Sequence, residues 1–283
     1  MKKLDPHVYL FTMGHFSVDW AQGGIPALLP YFITACQLNY QQAAGIIFAN
    51  ILLSQPLIGY YSDRISKPWL VPLGSVLCGM SLTALAFTTN YWGILFCSMM
   101  SGLGGSLFHP EAARMVNRIA GPLKGQALGS FSVGGNAGFA IGPMVAGFSA
   151  YTFDIHGLVL YGIVNLIIAA VLYHAMPTVL TMAAAADKAE AKAHPGDSHE
   201  NDSKLTVVIF ARSIGFTLCN TFIPIYWITV LGATPSTGSM ALSILFSMGV
   251  VITFLGGIMA DRFGFIRVMR GSFLIMVPAM FLL

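Results

Sequence analysis

Residues 14–32 read GHFSVDWAQGGIPALLPYF, in the middle of an apolar stretch from Val8 to Ala35. Crossing a hydrocarbon core about 30 Å thick takes roughly 20 predominantly apolar residues in a helix, and this stretch is long enough. It also carries a carboxylate, Asp19, with His15 four residues earlier on the same helical face. Starting from Val8, a helix climbs about 16 Å by residue 19 at 1.5 Å per residue, close to the middle of a bilayer. A carboxylate facing lipid there costs about 2.5–3.5 kcal/mol on insertion scales. Asp19 is therefore read as facing protein or water, where a change of hydration could load and unload a proton. His15 is read as the group that exchanges that proton or orients the carboxylate.

Composition extends this reading to the whole chain. Of 283 residues, 56% are hydrophobic and only 9% charged, and the mean hydropathy is +0.74, far from soluble averages. Apolar runs recur at about 8–35, 40–61, 69–88, 91–114, 124–150, 157–176, 205–231 and 237–260. They do not alternate apolar and polar residues as barrel strands do, so the expected class is an all-α polytopic membrane protein with eight complete spans. A ninth run, Gly271 to Leu283, is too short to cross and reads as a chain cut within its ninth helix. Lys2 and Lys3 precede a first run too long for a signal peptide and without an A-x-A site. Cys36, Cys78, Cys97 and Cys219 have no C-x-x-C spacing, which argues against a disulfide framework or a metal site. No metal or other cofactor is expected, and the net charge of +3 carries no nucleic-acid footprint.

Lys and Arg fall in alternate connections: Lys2 and Lys3; Arg64 and Lys67; Arg114, Arg118 and Lys124; Lys188, Lys192 and Lys204; Arg262, Arg267 and Arg270. The intervening loops have none. By the positive-inside rule this puts the N-terminus and the basic loops in the cytoplasm. Arg212 is left over, within span seven.

Residues 177–204 turn Ala-rich and mixed in charge, with no apolar face, and read as a cytoplasmic linker, partly helical at most. They divide an N-terminal six-helix half, 1–176, from an incomplete C-terminal half, 205–283. The halves echo each other: Gly59, Asp63 and Arg64 after span two repeat as Gly257, Asp261 and Arg262 after span eight, both spaced G-x-x-x-D-R. Parallel repeats of six-helix halves, with the substrate path between them, are known among secondary transporters. A carboxylate at such a loop can accept charge-assisted hydrogen bonds from a neighbouring helix in one conformation and release them in another, a gate latch.

On these residues the chain resembles the major facilitator superfamily. Gly59, Asp63, Arg64 and Lys67 resemble its loop motif, with Ser66 where glycine is usual. Gly129, Gly138, Gly142, Pro143 and Gly147 resemble the helix-five signature of its antiporters, with Ala146 replacing one glycine. Within the superfamily, GHFSVDWAQGGIPALLPYF and FHPEAAR (108–114) resemble the fosmidomycin resistance proteins. Ser98 stands where drug antiporters usually carry a helix-four arginine. The resemblance implies a monomeric exporter in the cell inner membrane, exchanging protons for a small drug-like or anionic molecule. A facilitator-type uptake carrier and a non-transporting fragment are the alternative readings.

Glu111 is the other carboxylate within a span. It is read near the inner end of helix four, paired with Arg114 three residues later or handling protons. His109 and Arg212 are read as substrate contacts or charge partners, Arg212 because a buried guanidinium stays protonated and could hold an anion. An intramembrane enzyme with a metal on His15, Asp19, His109 and Glu111 is disfavoured, since no H-E-x-x-H or comparable signature is present. Phe16, Phe48 and Phe131 are candidate walls of an apolar pocket.

Overall fold

The computed structural model describes residues 3–52, 67–152, 154–193, 226, 230–232 and 235–281. The helices are α1 (Pro6–Ala35), α2 (Tyr40–Leu52), α3 (Leu70–Leu85), α4 (Tyr91–Ile119), α5 (Lys124–Thr152), α6 (Val159–Ala193), α7 (Pro235–Phe263) and α8 (Phe265–Phe281), with a 3-10 turn at Ile155–Leu158 leading into α6. Among the described residues there is no strand. Most of the seventh run of the sequence lies outside the described residues, and α7 is the eighth run.

Helix starts follow local chemistry. Asp5 caps α1 by accepting from His7 N–H at 2.9 Å, with Pro6 in the first turn, where its missing N–H costs nothing. Asn39 and Gln42 form a reciprocal capping box at α2, each side chain accepting from the other's main-chain N–H at 2.8 and 2.9 Å. Asn90 accepts from Gly93 N–H at 2.8 Å and starts α4. Asp154 accepts from Ile155 N–H at 2.8 Å; that bond, with His156 beside it, holds its carboxyl below the usual range.

Glycine lines the helix crossings. On α5, Gly134, Gly138 and Gly142 lie against the carbonyl oxygens of Thr12, Phe16 and Trp20 on α1, so a methyl group at any of the three would overlap main-chain oxygen. Both sets step by four residues, which places them along one face of each helix. Small residues at this spacing bring transmembrane backbones into direct contact, and α1 packs more extensively on α5 than any other described pair of helices does. The α3–α4 contact runs through Gly74 and Gly104, and α2 meets α4 where Gly102 faces the Asn50 carbonyl.

The outer surface is apolar. Phe87, Trp92, Phe148, Ile163, Ile167 and Tyr173 are all more than half exposed, as a lipid-facing surface requires. Among the described residues α4, the segment Ile155–Lys188 and the C-terminal part of α7 pass a test of length and apolarity for crossing a membrane. At about 1.5 Å per residue α1 and α5 are also long enough. Gly134, Gly135, Gly138 and Gly142 of α5 lie against α1.

Three boundaries differ from the sequence reading. α6 runs as one helix to Ala193, through residues 177–193 that the sequence reading gives to the linker, and Pro177 lies inside it. The helix of α4 continues to Ile119 rather than ending at 114, so His109 and Glu111 lie well inside it: His109 is about 15 Å from the C-terminal end at 1.5 Å per residue. Pro110 leaves the helix unbroken because it removes one hydrogen bond while the neighbouring helices pack around it. After α7, Gly264 adopts φ +91° and breaks the helix for a single residue. α8 restarts at Phe265, placing Arg267 and Arg270 on a helix and not in a loop.

Candidate functional site

Three ionisable side chains from two helices converge where α1, α4 and α5 meet. His15 Nε2 lies 3.1 Å from Asp19 Oδ2 across one turn of α1. From α4, His109 Nε2 lies 3.3 Å from Asp19 Oδ1. Both approaches are within ion-pair distance without the alignment of a hydrogen bond, and among the described residues Oδ1 is buried with no hydrogen-bond partner. Side-chain exposure grades across the cluster, 5% for Asp19, 13% for His15 and 33% for His109, so His109 is its most open member.

The α5 face shapes the cluster. Phe131 stacks on the His15 ring at 4.1 Å between centroids, and its carbonyl oxygen accepts from His15 Nδ1 at 2.7 Å. A carbonyl can only accept, so Nδ1 carries the hydrogen and Nε2 is left facing Asp19. One turn on, Gly135 leaves the space the pair occupies: a Cβ there would lie 2.5 Å from Asp19 Oδ2 and 2.6 Å from His15 Nε2. Phe131 is thus a cover over His15 and not an open pocket wall, while Phe48 is exposed. Phe16 stacks on Trp20, whose ring in turn stacks on Tyr161. The donor atoms of His15, Asp19 and His109 lie within 4.8 Å of one another, close enough for one cation to bridge. The imidazole–carboxylate contacts account for the same arrangement.

Glu111 does not join this cluster. It is fully buried and accepts from Arg114 Nη1 at 3.1 Å one turn away. Arg212, Gly59, Asp63 and Arg64 lie outside the described residues, and Lys67 is exposed just before α3.

The second copy of the loop motif is described. At the end of α7, Asp261 accepts from Gly125 N–H at 2.6 Å and from Gln126 N–H at 2.8 Å, in the first turn of α5. Those N–H groups have no partner within their own helix, and the helix dipole favours an anion there. Gly257 packs directly on Gly125 and Gly129, which lets the two backbones close. Arg262 turns away, with its guanidinium 5.4 Å from the centre of the Phe263 ring. Of the helix-five residues, Gly129 therefore meets α7 and Gly138 and Gly142 meet α1. Pro143 packs near Gly23, whereas among the described residues nothing lies within 4 Å of a Cβ placed at Gly147.

This arrangement, a glycine-faced bundle around a buried carboxylate with a motif carboxylate closing a neighbouring helix, agrees with what comparison shows. Residues 11–283 match the family model of the Major Facilitator Superfamily. The chain belongs to the Major Facilitator Superfamily. It is a multi-pass membrane transporter of that family's all-α fold. It is 28% identical over 287 residues to an uncharacterized MFS-type transporter, YfnC, of Bacillus subtilis, covering 96% of this chain and 69% of that protein. It is 32% identical over 138 residues to the fosmidomycin resistance protein of Escherichia coli, covering 48% of this chain and 34% of that protein. A multi-drug resistance efflux pump, PmrA, of Streptococcus pneumoniae is 25% identical over 150 residues, 50% of this chain and 37% of the pump. The matches to these two resistance proteins thus span well under half of either.

Sequence reading paired His15 with Asp19 and grouped His109 with them only in the disfavoured metal-site reading; the structure brings His109 to that carboxylate without Glu111. The adjacent glycines 134 and 135 were the available signal. Two small residues side by side in a long helix mark a place where another helix, or a bulky polar pair, comes close. That Phe131 contributes its main-chain oxygen had no signal in the sequence.

Proposed function

We propose that this superfamily member is a proton-coupled exporter of a small drug-like or anionic molecule, working as a monomer in the cell inner membrane with its N-terminus and the linker 177–204 in the cytoplasm. The observation that carries the reading is Asp19: a buried carboxylate between two imidazoles at mid-helix. An ionisable group kept within a span, against its desolvation cost, is a functional position by default. Its proton affinity rises when it is desolvated and falls when water or a cation reaches it, so alternating exposure can load and unload it. His15 orients it. Glu111, held by Arg114, is the reserve proton site, and Arg212 is proposed as the cation that holds an anionic substrate. Asp261, and Asp63 by its equal motif, are proposed as latches that fasten one half on the other in one conformation. The relatives named as drug-resistance proteins support the direction of transport and the class of cargo, with fosmidomycin the first substrate to try.

The test is transport of fosmidomycin into everted membrane vesicles carrying the protein, with and without a proton gradient. Gradient-driven accumulation that Asp19→Asn abolishes, while substrate binding survives, is the expected result. Uptake that prefers right-side-out vesicles, or an Asp19→Asn protein with undiminished gradient dependence, would overturn it.

A further inference from the structure

We infer that the hydrogen bond from His15 Nδ1 to the Phe131 carbonyl makes the His15–Asp19 pair a site for one exchangeable proton, and that His109 is the positioning residue that takes hold of Asp19 when this proton leaves. The consequence for transport rests on the proposed function; the proton arrangement itself does not.

With Nδ1–H committed to Phe131, a neutral His15 can present only a lone pair at Nε2. Without a hydrogen on Nε2, that nitrogen would lie 3.1 Å from a carboxylate oxygen. Two electronegative atoms at that separation repel when neither carries a hydrogen, so one proton is assigned to the pair, as imidazolium with carboxylate or as imidazole with carboxylic acid. The count is the same for both. His109 is under no such restriction: among the described residues no hydrogen bond ties its Nδ1, so it can carry its hydrogen on Nε2 and donate while neutral. Its target is already in place, since Oδ1 is 3.3 Å away and among the described residues has no hydrogen-bond partner.

The two states then balance. In the loaded state one proton sits between His15 and Asp19, and His109 is neutral. In the unloaded state that proton has gone to water, His15 is neutral with Nδ1–H still on Phe131, and ionised Asp19 accepts Nε2–H from His109. No other bond changes. Release makes the His15 side repulsive and the His109 side attractive, so the carboxylate of α1 is drawn from its own helix toward α4. Among the described residues the titratable groups bearing on Asp19 are His15 on α1, His109 on α4 and the Cys78 thiol on α3. The α5 face contributes a glycine and the Phe131 carbonyl, and α6 contributes Tyr161 through its stack on Trp20.

The experiment is nitrogen-15 NMR of the histidines, from pH 5 to 9, in the whole chain purified into lipid nanodiscs. The expected result is a His15 protonated at Nδ1 throughout, with its Nε2 resonance reporting a single titration. In His109→Leu that titration should move up by about one pH unit, a tenfold tighter hold on the proton, because the ionised state has lost its donor. His109→Gln, whose amide donates without titrating, should return it close to the unmodified position. A neutral His15 protonated at Nε2 would overturn the inference, as would Leu and Gln variants that titrate alike, or stoichiometric zinc retained on the three side chains. Transport does not enter the measurement: the expected spectra in a protein that moves no protons would sink the proposed function and leave this inference standing.

Discussion

Asp261 at the end of α7 holds the first turn of α5, its two carboxylate oxygens accepting from Gly125 N–H and Gln126 N–H at 2.6 and 2.8 Å. Two charge-assisted bonds to a positive helix end contribute on the order of 1–2 kcal/mol. In Asp261→Asn the amide turns a donor toward one of the two N–H groups. Amide hydrogen exchange at residues 125–128 should accelerate roughly five- to thirtyfold, and exchange at the unmodified rate would show that the carboxylate contributes nothing. If the two motif copies act alike, Asp63→Asn should impair transport while leaving the protein in the membrane.

Gly135→Ala tests the space under the Asp19–His15 pair. The added methyl would lie 2.5 Å from Asp19 Oδ2, and overpacking of this kind costs about 1–3 kcal/mol. A lower unfolding temperature in detergent and a disturbed His15 titration are expected together. Gly147→Ala on the same helix, with nothing within 4 Å of the new atom, should stay within about 0.5 kcal/mol of the original. Equal effects at the two positions would contradict the packing.

Tyr161 donates to the Gly142 carbonyl at 2.8 Å and stacks on Trp20 at 4.2 Å between centroids. Tyr161→Phe keeps the stack and removes the hydrogen bond, which should cost about 1 kcal/mol and show as a lower unfolding midpoint. A midpoint at or above the original would mean that the hydroxyl contributes no net stability.

Orientation is checked with single cysteines at Asn90 and Ser198 after the native cysteines are replaced. An impermeant thiol reagent applied to intact cells should label position 90 and spare position 198. The reverse pattern would put the basic loops outside.

Legibility in the sequence followed the range of the forces involved. The apolar runs, the repeated G-x-x-x-D-R spacing, the alternation of basic loops and the pairing of His15 with Asp19 are all periodicities within one helix or between its ends. One-dimensional text carries such periodicities in full. Boundaries are less legible: α4 runs past Arg114 to Ile119 because packing against its neighbours outweighs the polar residues near its end.

The sequence by itself determined a helical membrane protein with a repeated G-x-x-x-D-R spacing, and it set the carboxylate of Asp19 inside an apolar run. Only the tertiary structure decided what surrounds that carboxylate. It brought His109 from α4, 90 positions along the chain, and the main-chain oxygen of Phe131 from α5. It also set Asp261 on the end of α5, 136 positions away from Gly125. The reason is physical: a contact between helices depends on the rotation and depth at which each one packs. Those are set by where glycines let backbones touch, and both faces of these helices are apolar enough that hydropathy alone leaves rotation open.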